Sequence, residues 1–176
     1  DYWDDQENKC RSGCMRKNGK KEWYTTRDYY FLLNFYPVVN KEKYQSTTFL
    51  SVRDVQYHMS LYEKIAECYD LHSVVLKKRQ CASSILHTAK LLNFIWFEND
   101  KKCKMFASDA AFLDSTNGSW SMIDKARNHL NTTTDWYRAF TPGEYPEIKQ
   151  VEKIKDKSNQ WSTIGNESIL VAKTLG

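Results

Sequence analysis

From Ser51 onward, apolar residues recur at alternating steps of three and four: Val52, Val55, Met59, Tyr62, Ala66 and Tyr69, with Leu61 and Ile65 beside them. At 3.6 residues per turn these positions share one side of a helix. The spacing predicts a helix here whose apolar stripe packs on other helices, opened by Ser51-x-x-Asp54, a capping box with Asp in place of Glu. A second helix is predicted over Ser83–Phe97, with Ile85, Ala89, Leu92 and Trp96 on one face and Leu86 and Leu91 beside it. A third runs from Lys102 to Leu113 on the repeat Phe106, Ala110, Leu113, and Asn117-Gly118 ends it. A fourth opens at Ser121-x-x-Asp124, turns Ile123, Ala126 and Leu130 inward, and restarts at Thr132-x-x-Asp135 before Trp136, Tyr137 and Phe140. Thr141-Pro142-Gly143 stops it, and Pro146 opens a further helix with Ile148, Val151 and Ile154 at helical spacing.

The remaining segments are less regular. Residues 1–20 are polar and read as a surface loop anchored by a disulfide, with Cys10-x3-Cys14 and the turn pair Asn18-Gly19. Between Trp23 and Tyr36 the aromatic content argues strand, whereas Thr25/Thr26 as a cap and Asp28 in a first turn argue helix; the segment is read as helix. Ile169-Leu170-Val171-Ala172 reads as an edge strand or packed tail, and residues 44–50 with 168–172 are the candidates for a small sheet. The fold class that follows is mainly α: an antiparallel, disulfide-linked assembly of five or six helices with a small edge β-element. A chain of 176 residues without repeats or a Pro/Gly-rich linker reads as one domain over 1–176: an N-terminal loop (1–20), a helical body (51–157) and a C-terminal tail or edge strand (158–176).

Composition narrows the function classes. Hydrophobic residues at 41% and charged residues at 27% fit an ordinary globular domain and argue against a disordered one. The longest apolar run, Leu91–Phe97, is broken by Asn93 and falls far short of the ~20 residues that span a bilayer. The net charge of +4 comes from short scattered clusters such as Lys101–Lys102–Lys104, not the basic stripe of a nucleic-acid binder. Three acceptor sequons (Asn117, Asn131, Asn166), five cysteines (Cys10, Cys14, Cys68, Cys81, Cys103) and a first residue that is not Met together point to a secreted or cell-surface glycoprotein whose signal peptide has been removed. The first pairing expected is Cys68 with Cys103 or Cys81, and an odd cysteine leaves a covalent dimer open. Buried free thiols in a cytosolic protein are the rival reading.

Catalytic signatures are few. None of GxGxxG, GxxxxGK, GxSxG or HExxH occurs among the six glycines and four histidines, so no cofactor, metal or catalytic residue is assigned. Cys68 and His72, at i and i+4, would share a helix face and lower the thiol pKa, although a disulfide at Cys68 would abolish that chemistry. The aromatic excess of 14% is the stronger signal. Consecutive pairs such as Trp23-Tyr24, Tyr29-Tyr30 and Trp136-Tyr137 place one ring of each outside any helix face that buries the other. With Arg138 alongside, Trp23, Tyr24, Trp136 and Tyr137 are the candidate partner-binding residues. The expected function is non-catalytic recognition of another protein, as ligand, effector or receptor ectodomain. An extracellular carrier of an apolar small molecule is the alternative; Cys10-x3-Cys14 resembles one spacing of insect odorant-binding proteins, whose remaining cysteine pattern this chain lacks. A small hydrolase with an unidentified site is the third.

Overall fold

Strands are interspersed with the helices along the chain, which makes the fold mixed α/β and not the mainly helical assembly that the periodicity predicts. The computed structural model describes residues 1–39, 47–77, 81–115, 118–139, 147–155 and 160–175. Among these are six helices, two two-stranded ladders and one three-stranded sheet. Contacts divide the chain into two compact units, Asp1–Lys90 and Leu91–Gly176.

The first unit opens with α1 (Tyr2–Ser12), not the surface loop expected there. Asp1 caps it through a reciprocal box with Asp4, and Asp4 and Asp5 at its start with Lys9 and Arg11 at its end complement the helix dipole. Gly13 closes it at φ 75, where a Cβ would come within 2.5 Å of the Thr25 carbonyl oxygen, so only glycine is accommodated. Strands β1 (Cys14–Asn18) and β2 (Lys21–Thr25) form a hairpin whose two-residue turn starts at Gly19, at positive φ. The aromatic stretch read as one helix therefore splits: Trp23 and Tyr24 belong to β2, and α2 is Arg27–Asn34. Asp28, Tyr29, Tyr30, Phe31 and Leu32 of α2 are all buried, so both rings of the Tyr29-Tyr30 pair lie inside. Strands β3 (Val38–Val39) and β4 (Thr47–Thr48) pair with each other, so β4, the described part of 44–50 in a strand, does not join 168–172. Helix α3 (Asp54–Cys68) then begins without a side-chain cap, Ser51 taking no part in one.

Helix α4 (Ser83–Phe97) matches its sequence expectation from end to end, and the division between units falls within it. In the second unit, β5 (Lys102–Ala107) stands where a helix is predicted. Its alternation of exposed Lys102, Lys104 and Phe106 with half-buried Cys103, Met105 and Ala107 is the two-residue period of a strand. Helix α5 (Ala110–Asp114) follows, and α6 (Ser119–Thr133) buries Ile123, Ala126 and Leu130 as the pattern requires, starting from Gly118 and not from Ser121. No helix restarts at Thr132; Trp136 and Tyr137 lie in irregular chain. The segment read as a helix after Pro146 is β6 (Glu147–Lys155). The C-terminal segment is β7 (Trp161–Thr174), which is the central strand of order β5-β7-β6, parallel to β5 and antiparallel to β6.

A register shift opposite Gln150/Val151 leaves Asn166 and Glu167 outside the β6–β7 ladder, with Gly165 and Glu167 at positive φ. This bulge is tied to the end of α4: Asn166 Nδ2 donates to the Ile95 carbonyl at 2.7 Å, Ser168 Oγ donates to the Glu98 carbonyl at 2.7 Å, and Ser168 Oγ accepts from the Lys101 amide at 3.0 Å. The core around it includes Leu92, Ile95, Phe97, Trp120, Ile148 and Leu170.

Candidate functional site

Helix α3 is inverted. The side turned into the first unit carries Gln56, Ser60 and Glu63, all buried, whereas Val55, His58, Tyr62, Ile65 and Tyr69 lie outside. Those five again step by three and four residues, but about 150° around the helix from the buried side. Val55 is 57% exposed, Tyr62 67% and Tyr69 73%. His58 stacks on Tyr62 within the stripe, with ring centroids 6.3 Å apart. Beyond the helix, Leu71, Val74 and Leu76 are exposed in extended chain, Leu76 at 95%. The apolar stripe that the sequence assigns to internal packing thus faces outward for its larger residues, with Met59, Leu61 and Ala66 half-buried along its edges.

What holds α3 this way round is an ion network. Ser60 Oγ donates to Asp28 Oδ2 at 2.8 Å and bonds Thr26 Oγ1, with all three residues buried. Glu63 receives His87 Nε2 on Oε1 and Lys90 Nζ on Oε2, both at 2.9 Å. Lys90 also reaches Glu67 Oε1 at 2.7 Å, and Arg27 stands 3.7 Å from Glu67 Oε2. Burial by itself would raise the Glu63 carboxyl, but the hydrogen bonds and positive charges of His87 and Lys90 outweigh it and hold the group at about 2. Glu67 is likewise lowered, with burial overcome by Lys90, Arg27 and Lys64. The hydrogen bond to Glu63 raises His87 against the opposing effect of burial. His87 Nδ1 meets the Ser83 carbonyl at 2.7 Å. Both of its partners are acceptors, so the two contacts favour the doubly protonated ring.

At the N-terminal end of α3, Arg16, Trp23, Tyr29, Val52, Asp54 and Tyr57 line a cleft of about 250 Å³. That is slightly under the ~300–1,000 Å³ of ordinary ligand sites. Tyr57 and Tyr29 are fixed there: Tyr57 Oη donates to the Tyr24 carbonyl at 2.9 Å, and Tyr29 Oη accepts from the Arg53 amide at 3.0 Å. In the second unit an open polar depression of about 630 Å³ is lined by Arg127, Asn131, Asp135 and Arg138 among others. Arg127 is neutralised by Asp124 at 2.8 Å.

The partner-binding candidates fall in separate places. Trp23 is exposed at the rim of the α3 cleft, and Tyr24 beside it bonds the Ser12 carbonyl. Trp136 is buried and meets Phe97 edge-to-face at 4.8 Å, Tyr137 is half-buried, and Arg138 is exposed at the polar depression. Sequence reasoning named none of the outward residues of α3 as a surface, although their spacing was visible; it assigned the stripe to the core.

No disulfide joins the cysteines, which corrects the disulfide framework expected of Cys10, Cys14, Cys68, Cys81 and Cys103. Cys10 is buried in α1 with its thiol pushed up by that burial, Cys103 is half-buried in β5, and Cys68 is exposed at the end of α3. Because α3 ends at Cys68, His72 shares no helix face with it. The support that bridges lent to an oxidising compartment goes with them. Nor do the sequons support glycosylation. Asn131 Nδ2 donates to the Ala139 carbonyl at 2.9 Å while its Oδ1 accepts from the Ala139 amide, and Asn166 serves the β7 bulge, so both acceptor nitrogens are part of the fold. Asn117 lies outside the described residues.

Among the described residues no cluster of His, Cys, Asp and Glu is placed to hold a metal, and no helix is long and apolar enough to cross a membrane. Comparison of the chain with protein-family models, curated proteins and solved structures finds no match.

Proposed function

We propose that this chain is a protein-recognition module and that the outward face of α3, with the apolar segment after it, is its recognition surface. The observation that carries this reading is the inversion of α3: Val55, Tyr62, Ile65 and Tyr69 are exposed while Glu63 and Ser60 are buried beneath them. Exposed apolar residues scattered singly need no explanation, but a contiguous row of them on one helix face marks an interaction site. Amphipathic helix faces with anchors at such steps are a recurring mode of protein recognition, and Tyr is enriched among interface hot spots. Trp23 at the neighbouring cleft extends the surface with a second large ring. An oxidising compartment is no part of this reading, since the bridges that argued for it are not formed.

The test compares the wild-type chain with Tyr62→Glu and Ile65→Glu as baits in extract from the source cells, with bound proteins quantified by mass spectrometry. Both positions are exposed, so the variants keep their circular dichroism and melting temperature. Proteins held by the wild type and lost at least tenfold by both variants support the reading. Identical sets of bound proteins, together with unchanged self-association, refute it.

A further inference from the structure

We infer that the cleft at the N-terminal end of α3 is a binding site for a free α-amino acid with an apolar side chain, its carboxylate held by Arg16 and its ammonium group by Asp54. Three elements of the first unit build the cleft. Arg16 and Trp23 are direct partners across the β1–β2 hairpin, so their side chains stand on one face, and Thr25, two residues further along β2, shares it. Tyr29 and Leu33 stand one turn apart on α2, and Asp54 and Tyr57, three residues apart, come from the start of α3.

The walls offer carbon. Tyr57 Oη donates to the Tyr24 carbonyl at 2.9 Å, while Tyr29 Oη donates to the Arg53 carbonyl at 3.2 Å and accepts from the Arg53 amide at 3.0 Å. With their hydroxyls engaged, these two rings, 5.9 Å apart and tilted by 58°, present apolar surface to an occupant, as Leu33 and Val52 do. The two charged residues in the lining are of opposite sign, and among the described residues neither forms an ion pair. The Arg16 guanidinium lies over the Tyr30 ring, 5.4 Å from its centroid. A stacked guanidinium keeps its N–H edge for a planar carboxylate. Both charges act on one ring: burial pushes the Tyr29 phenol up, Asp54 adds to that, and Arg16 opposes it.

Those charges select the occupant. A ligand with only a positive group meets Arg16, one with only a negative group meets Asp54, and a zwitterion satisfies both while its side chain covers the rings. Size agrees with this. The cleft of about 250 Å³ holds the volume of roughly eight waters at ~30 Å³ each, room for one amino acid and too little for a drug-sized ligand. A peptide fits less well, because residues inside a chain carry neither charge and each terminal residue carries one. This site is distinct from the outward face of α3, and its failure would leave the recognition reading intact.

NMR titration of the isotope-labelled chain with L-phenylalanine, L-phenylalaninamide and N-acetyl-L-phenylalanine tests this. Phenylalanine should give saturable shifts of the Trp23 indole N–H and of the Thr25 and Val52 amides. The amide, which lacks the carboxylate, and the N-acetyl compound, which lacks the ammonium group, should each bind at least tenfold more weakly. Arg16→Gln and Asp54→Asn, with circular dichroism unchanged, should each weaken phenylalanine at least tenfold, whereas Tyr62→Glu leaves it unchanged. Arg16→Gln should also cease to discriminate phenylalanine from its amide, a readout that mere loosening of the fold would not give. No saturable shift with phenylalanine, or either derivative binding as tightly as the zwitterion, overturns the inference. Binding that survives both Arg16→Gln and Asp54→Asn places the ligand elsewhere and overturns it as well.

Discussion

The network under α3 makes a quantitative forecast for Glu63→Gln. The wild-type carboxyl is held at about 2, below an ordinary value of 4.5. At about 1.4 kcal/mol per pH unit, its ionisation contributes roughly 3 kcal/mol to the folded state at neutral pH. The Glu63 side chain is 7% exposed, so solvent screens little of this, but His87 is 45% exposed, which makes about 3 kcal/mol a ceiling. A carboxyl lowered in the folded state stabilises above its unfolded value and loses that contribution as pH falls through the folded one. Urea unfolding should therefore show Glu63→Gln about 2–3 kcal/mol less stable than wild type near pH 7. The gap shrinks to less than half by about pH 3, because the wild-type carboxylate takes up its proton there in the unfolded chain. His87 gives an independent readout. It is raised because it bonds Glu63, so its stabilisation is complete below its ordinary 6.5 and fades as pH rises through the folded value. In Glu63→Gln its NMR titration midpoint moves down. A stability gap as large at pH 3 as at pH 7, with an unmoved His87 midpoint, would mean that shape and not charge holds α3, and the reasoning would fail.

Two further outcomes follow from the packing. Trp136→Ala removes a buried ring that packs edge-on against Phe97 and should lower stability by about 3–5 kcal/mol in thermal or urea unfolding, whereas Trp23→Ala at the cleft rim should cost under about 1 kcal/mol. Timed alkylation of the native chain, read by peptide mass spectrometry, should modify exposed Cys68 and half-buried Cys81, whose thiol is lowered by hydrogen bonds from Ser83 against its burial, well before buried Cys10, with no mass gained on prior reduction; a two-proton gain would restore a disulfide.

The unusual polarity of α3 has a cost that its neighbours offset. A buried carboxylate loses hydration, and the hydrogen-bonded cations His87 and Lys90 from α4 compensate it. Asp28 of α2 plays the same part for Ser60 as acceptor. Removing a partner leaves an unsatisfied group, so the inward side of α3 is fixed by specific pairs and its outward side is left apolar.

Sequence by itself determined α4 and α6, because Leu92, Trp96, Ile123, Ala126 and Leu130 recur at helical spacing and end up inside. It also determined that α3 is helical, since period follows from local geometry. Which side of α3 is covered was decided elsewhere, by partners such as His87 and Lys90 that stand 24 and 27 residues from Glu63. Short apolar runs misled for a related reason: Phe106-x3-Ala110-x2-Leu113 imitates a helix, but β5 pairs with β7 in the register Cys103 to Leu170, and that ladder sets its backbone. The same long-range pairing turned the expected edge strand at 169–172 into the middle of a sheet. Periodicity reports which residues share a face; the chain folded back on itself decides whether that face meets protein or is left open to a partner.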